Sequence, residues 1–279
     1  MHAKEVSRTV GIVAGNGTLP IEIARTLRGN DIRPFIVGIA DEADDAIGAY
    51  DHRRLEWGRL GNLFRLLEGE GARRVIFAGG VHQRPTMRPD RLDLTTIKVL
   101  PTLLKLLLSG DDTILSGLIR MFEERGFELV GIADIAPDLL LSEPAARPSP
   151  RVADQIELGT KIVRALGPFD VGQAVVVCGR RAVAVEGLEG TDGLLERVER
   201  MRDMGRLRDQ REGVLVKVPK PQQDRRVDLP SIGPRTIINA RAAGLTAIAG
   251  ELGGLVILER DRTVALAREH GVALHAVAP

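Results

Sequence analysis

The sequence lacks almost everything that would mark a disulfide-stapled protein, a nucleic-acid binder or a membrane span. One cysteine, Cys178, stands among 279 residues, which excludes an intramolecular disulfide and a cysteine cage for a metal. Its run, Ala174 to Cys178, suits a buried small hydrophobe rather than a nucleophile. Aromatic residues make up 3% of the chain, too few to stack exposed bases along a groove. Charge of one sign is missing too: 39 Lys and Arg oppose 38 Asp and Glu, so no global field attracts a polyanion. No nucleic-acid partner is expected, and any anion site must be local. No apolar run approaches the roughly 18 residues of a bilayer span. Met1 to Glu5 leads towards a strand without the apolar stretch of a signal peptide. The expectation is a cytoplasmic protein that reaches a membrane only at its surface.

What is present is a long α/β pattern. The length is about twice the roughly 150 residues of a usual domain, so two domains are expected. Thr9 to Ala14 is a short apolar run ending at Gly15-Asn16-Gly17, a buried strand followed by a tight turn. Helical spacing follows over 21–27, then a strand over 34–40, a helix over 60–67 and a strand over 74–78 that ends at Gly79-Gly80. Strands alternating with helices imply parallel β-α-β units, whose ligands bind beyond the carboxyl ends of the strands. Three prolines within Ser142–Pro150 read as an extended connector. The expected division is 1–141, a linker over 142–150, and 151–279. The second part reads as a helix over 154–166, a hairpin over 173–186, and strands over 214–218, 247–249, 255–258 and 272–277. It is a mixed α/β domain distinct from the first.

Candidate chemistry lies at the turns. Gly15, Asn16 and Gly17, followed by Thr18-Leu19-Pro20, would let the backbone approach a diphosphate at a helix N-terminus. Pro20 stands where a dinucleotide fingerprint needs Gly or Ala, so this is not a Rossmann signature, and a plain tight turn would look the same. Gly79 and Gly80 lie at the same edge. Asp111 and Asp112 precede a periodic apolar stretch; one serves as a helix N-cap, and the other is free for a metal or a sugar hydroxyl. The 96–108 segment is apolar apart from Lys98 and Lys105 on one helical stripe, which suits a core helix or a wall for acyl chains. In the loop from Glu186 to Gly193, Thr191 or Asp192 would cap the next helix, while Glu186 and Asp192 offer oxygen ligands. None of the five histidines has metal-ligand spacing; His82 alone lies near the expected ligand edge.

The richest stretch runs from Lys217 through Gln223, Asp224, Arg226 and Asp228 to Pro230. Its three prolines forbid a regular helix. As extended chain it would put Asp224, Arg226 and Asp228 on one face. Diphosphate hydrolysis needs cations on phosphoryl oxygens and a group that positions water, which Lys217 and Arg226 beside two carboxylates provide. A solvated loop of mutually paired charges is the alternative.

Taken together, the run Gly11 to Pro20, Gly79-Gly80-Val81, Gly110-Asp111-Asp112, the Glu186 to Asp192 loop and Gln223-Asp224-x-Arg226-x-Asp228-Leu229-Pro230 resemble the LpxI-type UDP-2,3-diacylglucosamine pyrophosphatases. The resemblance spans both halves of the chain. It implies a Rossmann-like N-terminal domain with a parallel sheet, a distinct α/β C-terminal domain and a homodimer. It also implies Mg²⁺-dependent hydrolysis of a lipid-linked nucleotide sugar to UMP and 2,3-diacylglucosamine 1-phosphate, with water attacking the sugar-side phosphorus. The family's essential aspartate falls on Asp224. On this sequence's own chemistry Asp224 would bind Mg²⁺ or orient the attacking water, with Asp192 as a second metal ligand and Asp228 assisting, while Lys217 and Arg226 balance phosphate charge. Peripheral contact with the inner membrane follows from the lipid substrate. Neither the Asp/His pattern of calcineurin-like phosphoesterases nor a Nudix box is present. An NAD(P)-dependent oxidoreductase and a non-catalytic binder of lipid-linked nucleotide sugars are the alternatives.

Overall fold

The computed structural model describes residues 8–81, 90, 92–107, 111–142, 147–207 and 212–279, without the side chains of 101–107 and 111–114. Two compact units divide at Ala136/Pro137. The crossing thus falls ahead of the proline-rich stretch, and Leu141 already exchanges backbone hydrogen bonds with Leu255 and Gly253 of the second unit.

In the first unit, β1 (Thr9–Ala14), β2 (Arg33–Ile39), β3 (His52–Leu55), β4 (Arg74–Ala78) and β5 (Glu128–Leu129) form one sheet in the order β3-β2-β1-β4-β5. Every pairing is parallel. A parallel sheet covered by helices buries both faces, which is why β1 and β2 are near-continuous apolar runs. Helix α1 (Leu19–Gly29) starts with Pro20 in its first turn, where the missing N–H costs nothing, and buries Ile23, Ala24 and Leu27. Helix α2 (Leu60–Gly69) buries Leu63, Phe64 and Leu67. Phe122 of α4 (Asp111–Glu123) meets Phe64 edge-on at 4.9 Å and Phe77 at 5.1 Å, a favoured ring geometry. Helix α3 (Leu94–Leu107) carries the Lys98 segment, and a short α5 (Ile132–Ile135) closes the unit. Thr96 is buried, whereas Leu94 and Ile97 are exposed.

The second unit opens with α6 (Pro150–Leu166), capped by the Ser149 hydroxyl, which accepts from the Val152 N–H, with Pro150 in the first turn. The end of the expected connector is therefore a helix start. The strands β6 (Ala174–Cys178), β7 (Arg181–Val185), β8 (Gly213–Lys217), β10 (Ala247–Glu251) and β12 (Ala273–Val277) form a mixed sheet in the order β12-β10-β8-β6-β7. Strands β12, β10 and β8 run parallel; β6 is antiparallel to both β8 and β7. Alternation along these strands divides the core: Val176, Leu215 and Ile248 face one side, and Val175, Val216 and Ala249 the other. Helix α6 covers the second side with Ile156 and Val163. Helices α7 (Gly190–Asp203), α8 (Pro234–Ala242) and α9 (Arg260–Glu269) cover the first. A short parallel pair, β9 (Ser231–Ile232) and β11 (Val256–Ile257), lies apart from the main sheet. Cys178 is fully buried as expected, and burial raises its thiol pKa.

The reversal of β6 matters for the site. It places Ala174 opposite Lys217, so the start of β6 and the end of β8 share one edge. Glu186, just past β7, joins them by donating its N–H to the Ala174 carbonyl at 2.9 Å.

Candidate functional site

In the first unit the two glycine turns interlock at the carboxyl edge of the sheet. The Gly15 N–H donates to the Ala78 carbonyl at 2.9 Å, and Asn16 and Gly80 exchange backbone hydrogen bonds at 2.9 and 3.1 Å. A Cβ on Gly15 would lie 2.1 Å from the Gly80 oxygen, and one on Gly79 (φ +89°) 2.4 Å from the Asn16 oxygen. Close backbone approach therefore already demands these two glycines. Gly17 (φ +91°) has open space around it. The neighbourhood is acidic: the Asn16 amide donates to Glu42 at 3.2 Å, and Thr18 donates to Glu22 at 2.7 Å, both carboxylates being buried. Asp111 and Asp112 open α4, but their side chains lie outside the described residues, as do Gly110 and His82.

In the second unit a buried polar network forms around Lys217. Its ammonium donates to the Thr191 hydroxyl at 2.7 Å and to the Ser231 carbonyl at 3.1 Å. Thr191 donates onward to Glu186 at 2.6 Å, and the other Glu186 oxygen accepts the Gln173 N–H at 2.8 Å. Burial pushes the Lys217 ammonium below the ordinary lysine value, while the nearby carboxylates of Glu186, Asp192 and Asp228 oppose that shift. Gln223, also buried, accepts the Lys220 N–H at 3.0 Å and donates to Asp228. Asp192 accepts from Asn239 at 2.9 Å and pairs with Arg235 at 2.7 Å. The structure thus brings Lys217, Thr191, Glu186, Asp192, Gln223 and Asp228 together. The expected helix cap is corrected: Glu189 is the N-cap of α7, without a side-chain bond, because Thr191 and Asp192 lie inside the first turn and are engaged elsewhere.

The loop carrying Asp224 also departs from expectation. Instead of extended alternation it turns: Val227 and Asp228 both donate to the Asp224 carbonyl, and the Asp224 carboxylate accepts the Arg226 N–H at 3.0 Å. An aspartate bonding the backbone two residues on makes its own turn, and that preference wins over the extended form. The Arg226 guanidinium then grips the same carboxylate, Nη2 at 2.8 Å and Nε at 3.1 Å. That hydrogen bonding holds the Asp224 carboxyl below the usual carboxylate range, against the opposing effect of burial.

The family models decide the assignment. The model of the LpxI N-terminal domain matches residues 9–139, and that of the LpxI C-terminal domain matches residues 143–275. The chain belongs to the LpxI family. A curated relative, the UDP-2,3-diacylglucosamine pyrophosphatase LpxI of Caulobacter vibrioides, is 36% identical over 278 residues, covering 98% of each chain. The two α/β units described above are the two domains of this family.

Mg²⁺ takes hard oxygen donors and is usually held by one or two carboxylates together with substrate phosphates. The side chains of Asp224 and Asp192 are 27% and 38% exposed, so each presents an edge to a ligand. Each could contribute an oxygen to an ion held chiefly by phosphate. Among the described residues no three His, Cys, Asp or Glu side chains stand together as ligands. Sequence reasoning missed Gln173, Ser231, Asn239 and Arg235. Each reaches the network by a tertiary contact, such as Asn239 to Asp192 across 47 residues, that no local pattern announces.

Proposed function

We propose that this chain hydrolyses UDP-2,3-diacylglucosamine to UMP and 2,3-diacylglucosamine 1-phosphate. Family membership and the named relative support the reaction. The observation that carries the site is one loop past the end of β8 that holds both the Arg226-clamped Asp224 and, at the next turn position, Asp228, whose carboxylate acts on the buried Lys217. In the reaction a water oxygen bonds to the sugar-side phosphorus, and the bond from that phosphorus to the bridging oxygen breaks. UMP leaves with the bridging oxygen.

The geometry supports specific roles. Two of the three Lys217 donors hold Thr191 and Ser231, and the third can turn to a phosphoryl oxygen. Arg226 adds a second cation. The Arg226 hydrogen bonds hold Asp224 in its anionic form, which suits it to orient the attacking water. Glu186, Asp192, fixed by Asn239, and Asp228, fixed by Gln223, oppose the effect of burial on the Lys217 ammonium. Mg²⁺, with Asp224 and Asp192 among its ligands, would neutralise charge developing on the diphosphate. In the first unit Glu42 and Glu22 repel phosphate and accept hydroxyls, so the Gly15–Gly17 and Gly79–Gly80 turns take the hydroxyl-bearing part of the nucleotide sugar.

A homodimer and contact with the cytoplasmic face of the inner membrane complete the proposal. Exposed Leu94 and Ile97 beside Lys98 on α3 support the membrane contact. Among the described residues no helix is long and apolar enough to cross a membrane. The test is incubation of purified protein with the substrate, with Mg²⁺ or with EDTA, resolving products by mass spectrometry. UMP released only with Mg²⁺ supports the proposal. Intact substrate under both conditions removes it, and binding without turnover would favour a carrier.

A further inference from the structure

Glu251 ends β10 at the same strand edge as Lys217 and is 2% exposed, yet the reaction above gives it no task. Two arginines answer its charge: Arg225 at 2.5 Å and Arg164 of α6 at 3.5 Å. Among the described residues no donor is aligned with Oε1 as a hydrogen bond, so Arg225 holds that oxygen by charge. A Cβ on Gly254 would lie 3.0 Å from Oε1 and 3.2 Å from Pro219, so Gly254 leaves room for both the carboxylate and the root of the Asp224 loop. A buried carboxylate is costly unless paired, and removing one partner leaves an uncompensated charge. Arg225 is the neighbour of Asp224 in the turn closed by Val227 and Asp228.

We infer that Glu251 is a positioning residue: through Arg225 it fixes the turn that aims Asp224. The inference rests on the proposed role of Asp224 in hydrolysis. Glu251 acts through Arg225, setting the angle at which Asp224 is presented, while α6 anchors the far side through Arg164.

The test combines hydrogen exchange with kinetics on the full chain. In Glu251→Gln, exchange at the Arg226, Val227 and Asp228 amides should quicken by about tenfold with the rest of the second unit unchanged. With UDP-2,3-diacylglucosamine, kcat should fall roughly 10- to 100-fold while KM stays within about twofold, the signature of misplacement rather than lost binding. Arg225→Ala should reproduce both effects, and the double variant should be no worse than either single one. If Glu251→Gln does not fold, Arg225→Ala, which leaves Glu251 its Arg164 partner, carries the same readouts. Unchanged amide exchange at 226–228, or additive losses in the double variant, would overturn the inference. A wild-type chain without turnover would sink the proposed reaction instead, and the exchange result would still decide whether Glu251 holds the turn.

Discussion

Replacing Thr191 by valine probes the Lys217 network with almost no change of shape. The Thr191 hydroxyl accepts from the Lys217 ammonium at 2.7 Å and donates to Glu186 at 2.6 Å. Valine leaves both charged groups short of one partner in a site where Lys217 and Glu186 are nearly inaccessible to water. A buried polar group without its partner costs about 1–3 kcal/mol. Two such groups around a half-buried hydroxyl give a loss of about 3 kcal/mol. In a unit of this size each kcal/mol lowers Tm by roughly 3 °C, so Thr191→Val should lower the second unit's transition by about 9 °C. Thr191→Ser keeps the hydroxyl and removes one methyl, worth about 1 kcal/mol and roughly 3 °C. Calorimetry of the three proteins in one buffer is the assay. A valine variant melting within about 2 °C of the serine variant would refute the claim that this hydroxyl bridges two buried charges.

Other expectations follow from the same geometry. Asp224→Asn should lower kcat by on the order of 10²- to 10³-fold with KM little changed, since it removes an anion that acts in the transition state; steady-state kinetics on the folded variant decides. Burial lowers the Lys217 value, so its charge is lost as pH rises through a point below 10.5, and kcat/KM should fall there. Lys217→Arg should move that alkaline fall to higher pH. The folded value of Asp224 lies below 3.8, so its contribution to stability is complete above that pH and is lost only as pH falls through the lower value. An acid unfolding curve of Asp224→Asn against wild type should therefore converge only at low pH. Gly15→Ala should destabilise the first unit by about 3 kcal/mol because its Cβ meets backbone. Gly17→Ala, strained by its φ but unobstructed, should cost about 1 kcal/mol. Urea titration of each variant separates the two.

Much of this architecture was legible because local pattern and tertiary role agree. Thr9–Ala14 ending in glycine, and Arg74–Ala78 ending in glycine, are short apolar runs with breakers, and both are central strands. The hairpin β6–β7 was legible for the same reason. The edge strand β3, His-Arg-Arg-Leu, was not, because none of its residues is fully buried and it carries no apolar alternation. Helix α9 buries little beyond Thr263 and Ala267, so its periodicity is faint, and the two-residue β9 is too short to leave a pattern. The site was legible as a set of residues but not as a geometry. Asp224, Arg226 and Asp228 could be picked out, whereas the turn that Asp224 makes with its own neighbours reversed the expected extended form. The glycine turns could be picked out at the sheet edge, whereas the buried Glu22 and Glu42 that accept from Thr18 and Asn16, one in a helix and one beyond β2, could not. Lys217 meets Thr191 only because β6 runs antiparallel beside β8, a fact of topology and not of spacing.

The most direct test of the proposed chemistry is turnover in ¹⁸O-labelled water with Mg²⁺ present, followed by mass analysis of both products. Attack at the sugar-side phosphorus predicts the label in 2,3-diacylglucosamine 1-phosphate and none in UMP. Label in UMP instead would contradict the placement of water by Asp224 at that phosphorus.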